Sequence, residues 1–349
     1  MTAVALCAAL LIFAGGAPAT AGEPLDPASR LPSGGSASEH WDLSAHLDSG
    51  HRVFARVLVT NEGPGKRSAA AFGHIMLPDG GAVFFKNGRR KSRWTLGPEG
   101  RRLEIGSTLL DQSGAVRRFQ VHKQQRGLKL VLDYPGDASS ARAPEGPGGY
   151  RLDLLNLATP VSGSLVLPGG PEEIPLSGRI TVTHAWTASS ERAVLARRVD
   201  VTTLEATSYP LFLTDLTTPE GVRWQWVVIS LPAGATIAQG AGGPAFGVNF
   251  VAREASDPAY PVPARLELTG PDLSGSIPLG EPFLQSDPLD ALPGFLKMVY
   301  SFVAQPRRIW SDAHVDLLLK PDPGRAVLQI RGRGSASLTF LDSLPAQLR

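Results

Sequence analysis

Ser38-Glu39-His40-Trp41-Asp42-Leu43-Ser44-Ala45-His46-Leu47, then Asp48-Ser49-Gly50, then Arg52-Val53-Phe54-Ala55-Arg56-Val57-Leu58-Val59-Thr60: this stretch decides the fold. Its first run alternates apolar and polar residues, the period-two signature of a strand with one face buried. Trp41, Leu43, Ala45 and Leu47 share one face; His40, Asp42, Ser44 and His46 share the other. Asp48-Ser49-Gly50 reads as a turn, and Arg52 to Thr60 as the returning strand. A second island of the same character closes the run Gly178-Arg179-Ile180-Thr181-Val182-Thr183-His184-Ala185-Trp186. His184 and Trp186 are two residues apart, so both lie on one strand face and can line one cavity.

Working outward, hairpins recur at short intervals. Ala71 to Leu77 turns at Pro78-Asp79-Gly80-Gly81 into Ala82 to Phe85. Ser92 to Leu96 and Arg101 to Ile105 flank Gly97 to Gly100, and Ala115 to Val121 returns as Leu128 to Tyr134. Past a Pro/Gly/Ser-rich stretch at residues 135–149, strand-like segments continue from Leu152 to Leu341. The pattern predicts an all-β chain of two consecutive lipocalin-like antiparallel β-barrels, with about eight strands on either side of residue 165. Glycine (38) and proline (30) are abundant, as many tight turns require. One C-terminal helix is expected from Asp287, with Pro288 at its first position and Leu289, Leu292, Phe295, Leu296, Val299 and Phe302 at helical spacing. The expected domains are residues 1–21, a signal peptide; 22–38, a flexible tether; 39–165, the N-terminal barrel; and 166–345, the C-terminal barrel.

The apolar run Ala3 to Ala14 and the small-x-small site Ala19-Thr20-Ala21 carry the export reading, with the periplasm as the destination. The single cysteine, Cys7, lies in that leader, so the mature chain offers no disulfide, thiol nucleophile or Cys-type zinc site. A formal net charge of +2 excludes nucleic acid as the expected partner. The basic run Lys86 to Arg93 reads as a solvated loop, with contact to a membrane surface as its alternative. His40, Asp42 and His46 lie along one strand over about 20 Å, too far apart for one metal ion. No phosphate loop, nucleophile elbow or His-Glu-x-x-His helix is present, and neither cofactor nor metal is expected.

The block Ser38 to Gly50 resembles the opening of the lipocalin-like proteins grouped with carotenoid 1,2-hydratase and the AttH proteins, with survival-factor-like proteins as close relatives. Gly178 to Trp186 looks like their second landmark, a Gly…His-x-Trp strand that begins the second barrel. Ile330-Arg331-Gly332-Arg333-Gly334-Ser335-Ala336-Ser337-Leu338-Thr339 is similar to their final strand. The resemblance implies two barrels side by side, each just wide enough for one small ligand. It also implies His184 as a catalytic proton donor, with Trp186 as a wall that steadies a carbocation. Ala185 stands where the hydratases carry an acid, and Tyr209 and Asp215 are the nearest counterparts of their Tyr/Asp pair.

Three functions follow as expectations. The leading one is an exported protein that binds or carries an apolar small molecule, a lipid or isoprenoid, in a barrel pocket lined by Trp41, His184, Trp186, Tyr209, Trp224 and Trp226. The second is an isoprenoid-modifying enzyme of the hydratase or cyclase kind that uses His184. The third is a scaffold whose barrels are filled. The alanine at position 185 favours binding over catalysis.

Overall fold

The computed structural model describes residues 25–61, 67–89, 93–136, 138, 140–170, 172–206, 209–231, 236–240, 246–254, 257–288, 305–320 and 327–344. The expected signal peptide and the body of the expected C-terminal helix lie outside the described residues.

The chain is almost all antiparallel strand, in two sheets. The first holds β1 (Ser38–Leu47), β2 (Arg52–Thr60), β3 (Ser68–Met76), β4 (Ala82–Arg89), β5 (Trp94–Leu96), β6 (Arg102–Ile105), β7 (Thr108–Asp111), β8 (Val116–Lys123), β9 (Leu128–Pro135), β10 (Ala141–Arg142), β11 (Arg151–Val166) and β12 (Ile174–Thr187). Their order is β4-β3-β2-β1-β12-β11-β9-β8-β7-β6-β5, with β10 on β11. β4 returns against β6, so the sheet curls into a nearly closed barrel. After the short helix α1 (Glu191–Val194) the second sheet holds β13 (Arg197–Ala206), β14 (Leu211–Thr217), β15 (Arg223–Ser230), β16 (Thr236–Gly240), β17 (Gly247–Ala252), β18 (Pro263–Thr269), β19 (Leu273–Ser286), β20 (Arg307–Leu319) and β21 (Leu328–Phe340). Their order is β16-β15-β14-β13-β21-β20-β19-β18-β17. This sheet stays open between its edge strands, where the backbone N–H of Val248 donates to Oε1 of Gln225 at 3.2 Å.

Two expectations change. The Gly178 to Trp186 strand does not begin the second barrel. As part of β12 it lies between β1 and β11 in the first sheet, and Trp41 pairs directly with His184. The two His/Trp islands are therefore neighbours in one barrel, and the sheets divide between Thr187 and Arg197 rather than after residue 165. The segment expected as a tether is also held from Leu25 onward. Leu25 and Leu31 pack on the first core, and the N–H of Ser29 donates to Gly100 O at 2.8 Å.

Among the described residues, each interior holds a hydrophobic core. Trp41, Phe85, Phe119, Tyr134 and their aliphatic neighbours fill the first barrel. Val199, Leu213, Leu266, Leu317, Phe340 and others fill the second. Close strand approach helps: a Cβ on Gly163 of β11 would sit 1.9 Å from the carbonyl oxygen of Val131 on β9.

The barrels meet through their outer faces. One half of that contact is apolar, with Tyr150, Leu152, Leu154 and Ala185 against Leu195, Phe212, Leu216 and Trp226. β11 is buried on both sides here and carries register shifts at Leu154/Asn156 and Asn156/Thr159. Ala158, with φ of 46°, sits at the second shift, where Thr181 Oγ1 accepts its N–H at 3.1 Å. The other half of the contact is polar and aromatic.

Candidate functional site between the two barrels

Alternation sends Trp41, Leu43 and Ala45 of β1 into the first barrel, so His40 and Asp42 point out of it. Phe54 and Arg56 of β2 share that outer side, as do Phe72 and His74 of β3, because their odd-numbered neighbours Val53, Ala55 and Ala71 are core. From the second barrel, Arg198 and Asp200 of β13 and Arg308 and Trp310 of β20 face them, because Val199, Val201 and Ile309 point inward. α1 adds Glu191.

These residues form one buried network. Arg56 donates Nε and Nη2 to the two carboxylate oxygens of Asp42, each at 2.6 Å, and Nη1 to Glu191 at 3.3 Å. Arg198 pairs with Asp200 at 2.8 Å and donates Nη1 to Nε2 of His40 and to the Tyr150 hydroxyl, both at 3.1 Å. His40 accepts that bond, so its Nε2 is unprotonated. Burial, followed by the Arg56 charge, holds its pKa well below the ordinary histidine value. Burial would raise the Asp42 pKa, but the Arg56 charge and its hydrogen bonds outweigh it and hold the carboxyl well below the usual range.

Next to this network lies an open cavity of about 810 Å³. Phe54, Phe72, His74 and Phe84 of the first barrel form one wall; Tyr260, Arg308 and Trp310 of the second form the other. Its volume suits a drug-sized ligand, and aromatic walls with a few polar groups are typical of such sites. His74 is in contact with the Phe54, Phe84 and Trp310 rings, with centroids 4.4 Å apart for Trp310. Burial and the neighbouring Arg308 charge lower its pKa to about 3, so it is a neutral imidazole near pH 7, able to donate one hydrogen bond. Arg308 lies over Phe54 at 4.6 Å and donates Nε to Thr339 at 2.9 Å.

The residues singled out from sequence lie elsewhere. Trp41 and His184 stack inside the first barrel, with centroids 4.5 Å apart and planes within 8°. His184 Nε2 donates to Glu39 at 2.7 Å. Glu39 also accepts from Ser29 Oγ at 2.6 Å and from the N–H groups of Arg30 (2.6 Å) and Leu31 (2.9 Å). These bonds outweigh burial and keep Glu39 below the usual carboxylate range, so His184 and Glu39 anchor the segment that covers this end of the barrel. Trp186 is half-buried beneath Arg30. Tyr209 packs on the second core, whereas Trp224 and Trp226 pack in the apolar contact between the barrels. Asp215 is buried against Arg223 and Gln225. None of the six expected ligand-lining residues lines the 810 Å³ cavity.

Arg56, His74, Glu191, Arg198 and Arg308 escaped sequence reading. One signal was available: in Val53-Phe54-Ala55-Arg56-Val57-Leu58-Val59 both faces carry apolar residues, and a strand apolar on both faces is covered on both. Trp310, on the same face as Arg308, is a second such signal.

No known family profile matches the chain, and no characterised protein matches it by sequence. Solved structures do match its fold. A crystal structure of a candidate AttH protein from Nitrosomonas europaea superposes with a TM-score of 0.62 at 11% identity, over 93% of this chain and 99% of that one. Kievitone hydratase from Nectria haematococca gives 0.55 at 8% identity, over 89% and 91%. CghA in complex with Sch210972 gives 0.57 at 13% identity, over 94% and 97%. The chain has the two-barrel, lipocalin-like fold of the AttH-like proteins.

Proposed function

We propose that this protein binds an apolar small molecule between its two barrels and transforms it, in chemistry of the hydratase or cyclase kind. The observation that carries the reading is the 810 Å³ cavity, walled by aromatic rings and with His74 in its wall, between barrels that each hold a hydrophobic core. Among the fold neighbours one is named a hydratase for kievitone, which supports chemistry over simple carriage, and another was solved with the small molecule Sch210972, which supports binding.

The neutral His74 ring offers a hydrogen-bond donor to a substrate oxygen, polarising a double bond conjugated to it. Aromatic walls confine a flexible chain in a folded conformation, and confinement alone lowers the barrier of a ring closure. The same faces steady positive charge that develops on carbon. His184 is given no proton-transfer role here, because Glu39 and Trp41 occupy it. The leader expected at residues 1–21 would deliver the protein to the periplasm, where an apolar substrate meets it after leaving a membrane.

Incubating the purified protein with acyclic carotenoids, polyprenyl alcohols and prenylated phenols in ¹⁸O-labelled water tests the reading. Hydration adds one labelled water to the product; cyclisation leaves the mass unchanged and shifts the absorption spectrum. Bound but unaltered ligand points to a carrier instead, and absence of binding to every class overturns the proposal. His74→Phe is expected to lower turnover by about a hundredfold while leaving binding intact.

A further inference from the structure

We propose that the molecule taken by this cavity carries an anionic oxygen, a carboxylate or an ionised enol or phenol, which docks on Arg308. The inference rests on the inter-barrel cavity as the binding site and names its substrate class.

Arg308 is 2% exposed and has no carboxylate within ion-pair distance among the described residues. The nearby acids are already engaged: Asp42 by both forks of Arg56, Glu191 by Arg56, and Asp200 by Arg198. What remains to Arg308 is one hydroxyl, on Thr339, and two ring faces, Phe54 at 4.6 Å and Trp310 at 5.8 Å. Its Nη1 is buried with no hydrogen-bond partner. Guanidinium does not normally shed its charge in proteins, and a buried, unpaired charge is among the costliest features a fold can keep. Burial and the Arg56 and Arg198 charges lower the Arg308 pKa to about 9, against the opposing pull of Asp42 and Glu191, which lie beyond ion-pair distance. An anionic oxygen in the adjoining cavity would give the guanidinium the direct partner that its neighbours give to Arg56 and Arg198.

The remaining lining residues agree. Lys86, Arg126 and Arg307, the last paired with Asp257 at 3.4 Å, also line the cavity, whose acidic lining residue is Asp287. The rim therefore attracts an anion, while the bound apolar body lies along Phe72, Phe84 and Tyr260. A planar carboxylate matches the guanidinium fork in two parallel bonds, and an enolate or phenolate oxygen matches it in one.

Quenching of the intrinsic tryptophan fluorescence of the full chain, with Trp310 in the cavity wall, reads binding of two probes that share one body: retinoic acid and methyl retinoate. The acid is expected to bind about ten- to a hundredfold tighter than the ester at neutral pH. Arg308→Met should abolish that preference while keeping the ester affinity, and Arg308→Lys should keep part of it. The wild-type comparison needs no variant to fold. Equal binding of acid and ester overturns the anion inference and leaves the cavity reading standing. If neither probe quenches at any concentration up to its solubility, the cavity reading falls and this inference falls with it.

Discussion

Two buried polar clusters in this protein look alike on paper and differ in kind. The first, inside the first barrel, joins Glu39, His184 and Trp41. The second, between the barrels, joins Asp42, Arg56, Glu191, Arg198, His40, His74 and Arg308. In the first, one carboxylate collects donors from His184, Ser29, Arg30 and Leu31 and ties a covering segment to the barrel end. In the second, Arg56 takes both Asp42 and Glu191 and Arg198 takes Asp200, so Arg308 has no direct ion pair among the described residues, and an open cavity begins beside it. A histidine next to a tryptophan is thus a structural clamp in one place and part of a binding wall in the other. The difference comes from what the cluster borders: packed core in one case, open space in the other.

The largest effect is expected where a charge pair is broken. Asp42→Ala leaves Arg56 buried without its bidentate partner and should cost about 3–5 kcal/mol in urea unfolding. Loss should appear first in the contact between barrels. If it stayed within about 0.5 kcal/mol, the inter-barrel network would be peripheral to stability.

Glu39→Ala should cost less, about 2–3 kcal/mol, because several donors lose one acceptor. Limited proteolysis should then cut near Leu31, while titration of the cavity with retinoic acid stays unchanged. A change in that titration would mean that the two clusters are coupled.

Acid separates the clusters further. The folded pKa of His74 is about 3 against an ordinary 6.5, and that of His40 is depressed as well. Between those pH values the unfolded chain binds more protons than the folded one, so stability is full above pH 6.5 and falls as pH drops below it. Each such histidine removes up to about 1.4 kcal/mol per pH unit in that window. Glu39, depressed from 4.5, gives up its contribution only below that value. Unfolding midpoints at pH 5.5 should therefore report the buried histidines His40 and His74 together with His46 and His51, whose pKa values are lowered too, before Glu39 contributes, and His74→Phe should flatten the slope by about one proton. An unchanged slope would place His74 in contact with solvent.

The smallest effect is expected at the N-terminus. Protein exported by a host with a Sec pathway should begin at Gly22 by N-terminal sequencing. Its unfolding midpoint should match that of protein lacking residues 1–21 from the outset, since both clusters begin beyond that point. Intact Met1 on the exported protein would remove the leader.

The alternation in Trp41 to Leu47 placed Trp41, Leu43, Ala45 and Leu47 on the core face of β1 and His40, Asp42, Ser44 and His46 on the other, and the all-β, two-barrel plan follows from repeating that pattern. The His-x-Trp spacing correctly put His184 and Trp186 on one face, with ring centroids 4.9 Å apart. What the pattern could not say is that β12 pairs with β1, because register between distant strands depends on the closure of the whole sheet. Without that pairing Glu39 has no visible relation to His184, and a clamped residue reads as a catalyst.

By itself the sequence determined which side chains share a face, because the strand backbone alternates whatever surrounds it. Only the tertiary structure decided what each face meets. The polar side of β1, with His40 and Asp42, is written as if for water, yet it is covered by the outer face of a second barrel that contributes Arg198 and Arg308 from far along the chain. Burial by a neighbouring barrel is a property of docking, not of any strand's own pattern, and for that reason the cavity and its unpaired arginine were legible only once the two barrels were seen together.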